Sequence, residues 1–280
     1  MERNLTKSIL ISLLFLAVII YPIFYYSHNT KSSLNKNLIM ELKLINNEKI
    51  LFGHRSVGDN IIQGMQDIVS QNDSDKIYLY RLQDLPAGQE YYFVHSYIGE
   101  NGNPISKIDN FSKLINQLGP QKLSIAFMKL CFVDIKANTQ INNIINYYVR
   151  TVDSLLIKYP NLIIIHCTVP LTSKPTLIMQ IKDFIKGRTS SNLLDNIKRN
   201  EYNRLLLSKY SPDQIFDIAK IESTHEDGRR EKIIQEGMPY YFLINDYTND
   251  GGHLNKKGQY LVASNLISFI TNKIKQNRIK

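Results

Sequence analysis

The sequence predicts an α/β domain built on a parallel sheet and preceded by one membrane-spanning segment. Three observations lead there. Residues 8–26 (SILISLLFLAVIIYPIFYY) form a run of nineteen uncharged side chains, long enough to cross a hydrocarbon layer of about 30 Å at about 1.5 Å per helical residue. From about residue 37 onward, apolar runs alternate with amphipathic stretches in the manner of repeated strand and helix units. The run LIIIHC at 162–167 lacks the alternation of a half-exposed strand, which suits a strand covered on both faces and places it in the centre of the sheet.

Taken in order, residues 1–7 are a short cytoplasmic tail and 8–26 an uncleaved anchor. A cleaved signal peptide would have a shorter apolar core and a small-x-small site, whereas Tyr25, Tyr26, Ser27 and His28 follow here. Arg3 and Lys7 ahead of the run nearly balance Lys31 and Lys36 behind it; the orientation adopted is N-in, with the α/β domain on the extracytoplasmic side. Residues 27–36, rich in Ser, Asn and Lys, are a linker, and 37–280 the folded domain. Strands are expected near Lys49–Phe52, Lys76–Tyr80, Lys122–Cys131, Leu162–Thr168 and Gln214–Ile218, with helices near 57–70, 107–118, 138–158, 190–208 and 255–275. Residues 229–244 suit a small hairpin. Residues 81–105 carry Gly and Pro without a period and read as a long loop, a length that tends to be functional. Internal repeats and low-complexity tracts are absent from the sequence.

Composition narrows the function. Of the 280 residues, 43% are hydrophobic and 21% charged, which excludes wholesale disorder. The net charge of +9 comes from scattered Lys and Arg with no run of five like charges, so no nucleic-acid partner is expected. Cys131 and Cys167 lie in apolar runs without a CxxC or Cys/His cluster, which excludes a zinc finger or a disulfide-stapled scaffold and leaves two buried thiols or one disulfide. Asp217, Glu222 and Asp227 have no metal-ligand spacing, and His166 and Cys167, as neighbours on one strand, point to opposite faces. No metal and no cofactor are expected.

In an open α/β sheet, ligands bind beyond the carboxyl ends of the strands. After the first strand comes Phe52-Gly53-His54-Arg55-Ser56-Val57-Gly58. A serine at such a turn presents its hydroxyl where helix N–H groups converge, as a nucleophile with an oxyanion site requires; the competing reading is a helix N-cap. Ahead of the last helix stands Asp250-Gly251-Gly252-His253-Leu254-Asn255. Serine needs an adjacent base, and an imidazole oriented by a carboxylate supplies one, so Asp250 and His253 are spaced to complete a triad. The competing reading is a turn former beside a surface histidine.

These residues resemble the SGNH hydrolase superfamily, the GDSL-like esterases, with serine after the first strand and D-x-x-H-x-N before the last helix. The resemblance spans about 50 to 275 and is closer to a branch whose first motif is F-G-H-x-S-V-G. Three further segments fit that branch: His95–Gly102, Lys129–Asp134 and Thr168–Leu171. It implies a three-layer, flavodoxin-like parallel sheet, Ser56, His253 and Asp250 as catalytic triad, and hydrolysis or transfer of ester-bound acyl groups. Two features depart from the superfamily pattern. Ser56 stands one residue later than usual, and the third strand ends in Lys129, Cys131 and Asp134 where Gly-x-Asn belongs. The missing asparagine normally donates to the oxyanion. Its loss leaves the Ser56 N–H, with Gly99 or Asn101 from the long loop, as donors; Lys129 serves either as a charge over the oxyanion or as the ion partner of Asp134. His54 and His95 are substrate contacts, a second base or structural imidazoles.

Together these readings describe a membrane-anchored serine esterase or acyltransferase whose substrate is an O-acyl group on an envelope carbohydrate or lipid. The alternative is an inactive domain of the same fold that binds a glycan or an envelope partner; an anchored transport or secretion accessory protein has only residues 8–26 in its favour. Glu90–Phe93 and Pro239–Phe242 are Tyr-rich and suit either a sugar site or buried packing.

Overall fold

The structure, a computed structural model, describes residues 37, 38, 40–70, 77–175, 185 and 191–279. Two compact units divide between Glu41 and Leu42. The tail, the anchor at 8–26 and the linker lie outside the described residues, among which no helix is long and apolar enough to cross a membrane.

The second unit contains β1 (Lys49–His54), α1 (Val57–Ser70), β2 (Leu79–Arg81), β3 (Tyr92–Tyr97), α2 (Pro104–Leu118), β4 (Ile125–Met128), α3 (Ile141–Lys158), β5 (Ile163–Cys167), α4 (Ser191–Lys209), β6 (Ile215–Phe216), α5 (Ile218–Glu222), the hairpin β7 (Lys232–Gln235) and β8 (Met238–Tyr241), and α6 (Lys256–Ile279). Six strands form one sheet in the order β2-β3-β1-β4-β5-β6, and every pairing in it is parallel. One face carries Leu51, Val94, Ala126, Met128 and Ile164 against apolar residues of α2, α3 and α4. The other carries Phe52 stacked on Phe127, with Phe93 edge-on. That face meets α1, whose Gly58 lies against His54, and α1 in turn packs on α6 at Gly64. A Cβ at Gly64 would stand 2.3 Å from the Gln259 carbonyl oxygen, so the close helix approach depends on glycine there.

Several expectations need correction. The stretch 81–105 is not a loop throughout: Tyr92–Tyr97 is a strand inserted between β2 and β1. Its first four residues are buried, so with both faces covered it shows no alternation. Tyr92 and Phe93 are therefore sheet core. Pro239–Phe242 likewise packs: Phe242 is fully buried, while Tyr240 and Tyr241 lie under Arg204 and Arg230. The strand expected over Lys122–Cys131 is confined to Ile125–Met128, with the Lys129 N–H still donating to the Gly53 carbonyl of β1 at 3.1 Å. LIIIHC is interior but not central, because β5 lies one strand from the β6 edge. Cys131 and Cys167 are free thiols, which removes the disulfide.

Candidate active site

β1 ends at His54, and Ser56 follows with φ of 58°, a left-handed conformation that costs a non-glycine residue about 1–2 kcal/mol. The turn closes through the Gly58 N–H to the Arg55 carbonyl (3.1 Å) and the Asp59 N–H to the Ser56 carbonyl (2.7 Å). Gly58 lets α1 start this close to the strand, since a Cβ there would stand 2.3 Å from the Cβ of His54. The strained turn lifts the Ser56 hydroxyl to 2.8 Å from His253 Nε2. The Ser56 N–H has no acceptor among the described residues, so it is available to an oxyanion.

The loop before α6 supplies the rest. His253 Nδ1 lies 2.7 Å from Asp250 Oδ2, and Asp250 Oδ1 accepts the N–H groups of Gly252 (2.9 Å) and His253 (2.8 Å). Burial pushes the Asp250 carboxyl up, but these hydrogen bonds and the imidazole outweigh it and hold the group well below the usual carboxylate range. It is therefore ionised wherever the domain is folded near neutrality. Gly251 turns the loop with φ of 84°, and Gly252 lets the Phe132 ring approach to 2.9 Å of its Cβ position. Phe132 then lies edge-on to the His253 ring, 5.5 Å between centroids. Asn60 Oδ1 accepts the Leu254 N–H at 3.0 Å, tying the serine helix to the histidine loop. Asn255 Oδ1 accepts the Gly258 N–H at 3.1 Å and so caps α6. Ser56 and the Asp250–His253 pair, nearly two hundred residues further along the chain, thus form one hydrogen-bonded line.

The remaining candidates are placed differently. His54 and His95 are buried and share a hydrogen bond, Nε2 to Nδ1 at 2.9 Å. Burial and then the Arg81 charge pull His95 down to about 4; burial and then His95 hold His54 well below its ordinary value. Both are neutral at pH 7 and form a structural pair beneath the serine. The Gly99 N–H is taken by Asn110 Oδ1 (3.1 Å), and Asn101 Oδ1 accepts from Lys107 Nζ (3.0 Å). Lys129 is buried, with Nζ directed to the Leu130 carbonyl (3.3 Å) and Cys131 Sγ (3.5 Å). It does not pair with Asp134. That carboxylate is held by Lys107 at 2.6 Å and by the N–H groups of Gly102 (2.8 Å) and Cys131 (2.6 Å).

Lys107 was not singled out from the sequence, although the signal existed: it sits beside Ile108 at the head of the apolar row Ile108, Phe111 and Ile115. A lysine on such a face needs a buried partner. Asp217 caps α5 through the Lys220 N–H, and Asp227 pairs with Arg229 at the surface. Glu222 is fully buried and burial pushes it up to about 8. His166 bonds the Tyr148 hydroxyl at 2.9 Å and stacks on Tyr210, while burial raises the Cys167 thiol to about 12. Among the described residues, no group of three His, Cys, Asp or Glu could hold a metal.

No family model matches the chain, and no curated protein matches it. Solved structures similar to it include a protein from Streptococcus pneumoniae assigned as a platelet activating factor, with TM-score 0.47 and 15% identity over 91% of this chain and 99% of that one. A second, from Desulfitobacterium hafniense DCB-2, is assigned as a lipolytic protein of the G-D-S-L family: TM-score 0.42, 10% identity, 80% and 99% coverage. A third is the periplasmic domain of a Salmonella ser. Paratyphi A lipopolysaccharide acetyltransferase: TM-score 0.39, 14% identity, 91% and 97% coverage.

Proposed function

We propose that this chain is an SGNH-type serine esterase or acyltransferase, anchored through residues 8–26 and acting outside the cytoplasm on an O-acyl group of an envelope carbohydrate or lipid. The observation that carries the chemistry is the line from Ser56 Oγ to His253 Nε2 (2.8 Å) and from His253 Nδ1 to Asp250 (2.7 Å). In this reading Ser56 Oγ attacks the acyl carbonyl carbon while His253 Nε2 takes its proton. The Asp250 carboxylate holds Nδ1–H and stabilises the imidazolium. Negative charge gathers on the carbonyl oxygen beside the Ser56 N–H. Collapse expels the alcohol with the proton from His253, leaving acyl-Ser56; water or a second hydroxyl then gives its proton to His253 and attacks the acyl carbon, and His253 returns that proton to Ser56 Oγ as the acyl–oxygen bond breaks.

A second reading, a binding domain of the same fold, is favoured by the engagement of the Gly99 N–H and of Asn101 within the protein. One lost oxyanion donor costs about 10²–10³ in rate. Labelling with a serine-reactive phosphonate separates the two. The esterase reading requires modification of Ser56 in the wild type and none in His253→Ala; an unlabelled wild type would leave only the binding domain. The anchor is tested by reporter fusions after Lys280: an active phosphatase supports the extracytoplasmic placement, and an inactive one beside an active cytoplasmic reporter refutes it.

A further inference from the structure

Beside the nucleophile, on the β2 side of the sheet, three side chains are arranged with no evident use in the acyl-transfer chemistry. Arg81 closes β2, Tyr97 closes β3, and Arg55 lies between β1 and Ser56. In the parallel register Arg81 pairs with His95, and His54 with Tyr97. Residues two apart on a strand share a face, so Arg81 and Tyr97 emerge on the same side at the carboxyl edge, where ligands bind in such sheets. Both guanidinium carbons stand 5.3 Å from the centroid of the Tyr97 ring, and thus no more than twice that distance from each other.

What holds the cluster leaves its charge unspent. Arg55 is fixed by Nε donating to the Ile98 carbonyl at 3.0 Å, which leaves its two terminal nitrogens without an acceptor among the described residues. Arg81 is exposed, and its contact among the described residues is the Tyr97 ring. Tyr97 is 44% exposed and its hydroxyl donates to Asp59 Oδ1 at 2.9 Å, which fixes the aromatic platform and leaves the Asp59 carboxylate charged at its rim. Each guanidinium offers planar pairs of N–H donors matched to a carboxylate or phosphate.

We infer that Arg55, Arg81 and Tyr97 form a subsite for a negatively charged group of the substrate, a phosphate or carboxylate a few bonds from the ester that Ser56 attacks. This rests on the esterase reading for its purpose but not for its detection, because an anion would bind there whether or not Ser56 reacts. The neighbouring position of Arg55 and Ser56 puts the charge and the scissile carbonyl on one small molecule. The preference should weaken with salt, since the cluster is open to solvent.

The test uses the full chain and two matched pairs of esters. One pair is acetylglycerol and acetylglycerol 3-phosphate; the other is O-acetylglucose and O-acetylglucuronate. Released acetate should favour the anionic member of at least one pair by tenfold or more in kcat/KM, and which pair is favoured distinguishes a phosphate from a carboxylate source. In Arg81→Gln, an exposed position, that ratio should fall toward one; Arg55→Lys should lower it by a smaller factor. Calorimetry on Ser56→Ala reads the subsite without turnover: acetylglycerol 3-phosphate or O-acetylglucuronate should bind more tightly than its neutral partner, and the difference should vanish in Ser56→Ala/Arg81→Gln. Arginine-dependent binding without turnover of any ester would sink the esterase reading and keep the subsite. Turnover with no preference for charge, or a preference that survives Arg81→Gln, would overturn the subsite and keep the esterase.

Discussion

Replacing Asp250 with Asn changes the site by a single proton. In the native loop Oδ1 takes the N–H groups of Gly252 and His253, and Oδ2 faces His253 Nδ1 at 2.7 Å. An asparagine keeps its oxygen toward the two backbone donors, which leaves its NH₂ against Nδ1. Nδ1 must then accept, the ring proton moves to Nε2, and Nε2 meets Ser56 Oγ as a donor. That tautomer cannot take the serine proton. The same substitution in the serine-protease triad costs about 10⁴ in kcat. Here the Asp250 and His253 side chains are 57% and 46% exposed, so water screens the imidazolium and carboxylate attraction and less is lost. The expected fall is about 10³ to 10⁴, or about 4–5.5 kcal/mol at the barrier. Stopped assays of acetate release from a short activated ester measure it, and unfolding midpoints should hardly move because the hydrogen bonds from both backbone N–H groups survive. Asp250→Ala should be rescued in part by added formate, which can reach Nδ1 through the exposed loop. Asp250→Asn activity within about threefold of wild type, with His253→Ala inactive, would refute the tautomer argument.

Ser56→Ala and His253→Ala should each abolish turnover, and the double variant should be no worse than either, as for groups acting together; independent losses would contradict this. Ser56→Gly should be equally inactive yet more stable than Ser56→Ala by about 1 kcal/mol in chemical denaturation, because glycine accepts the positive φ without strain. Lys107→Met should cost about 3–5 kcal/mol in the same measurement, since it strands Asp134 in the interior; a loss below 1 kcal/mol would show that the pair is not an isolated buried one. Stability should peak near pH 6.5. Below it, His54, His95 and His166 have folded values below the unfolded 6.5, so the unfolded chain binds protons that the native one refuses and stability falls with pH. Above it, Glu222 at about 8 keeps a proton that the unfolded chain has released, and stability declines by about 1.4 kcal/mol per pH unit up to pH 8. Glu222→Gln should flatten that alkaline limb; an unchanged slope would assign it elsewhere.

The order of strands and helices was legible in the sequence wherever local pattern decided it. Val57–Ser70 has the expected bounds, and the hairpin turn at Glu236 and Gly237, both with positive φ, follows from its Gly. The tight turn at Ser56 and the contact between Asp250 and His253 were legible because each is made by residues a few positions apart. Tyr92–Tyr97 was not, since a strand buried on both faces has no period. Nor were the fates of Gly99, Asn101 and Lys129, because whether a polar group faces substrate or the interior depends on which partner the fold brings to it. Asn110, Lys107 and Cys131 are those partners; they lie two to eleven residues away, but nearness in the chain does not fix which way a side chain turns. Likewise Arg55 and Arg81 become neighbours only through the β2-β3-β1 register. Sequence alone thus determined the local turns and the residue types available for chemistry; the tertiary structure decided which of those polar groups are held inside the protein and which stay open, because packing between distant segments sets where each side chain lies.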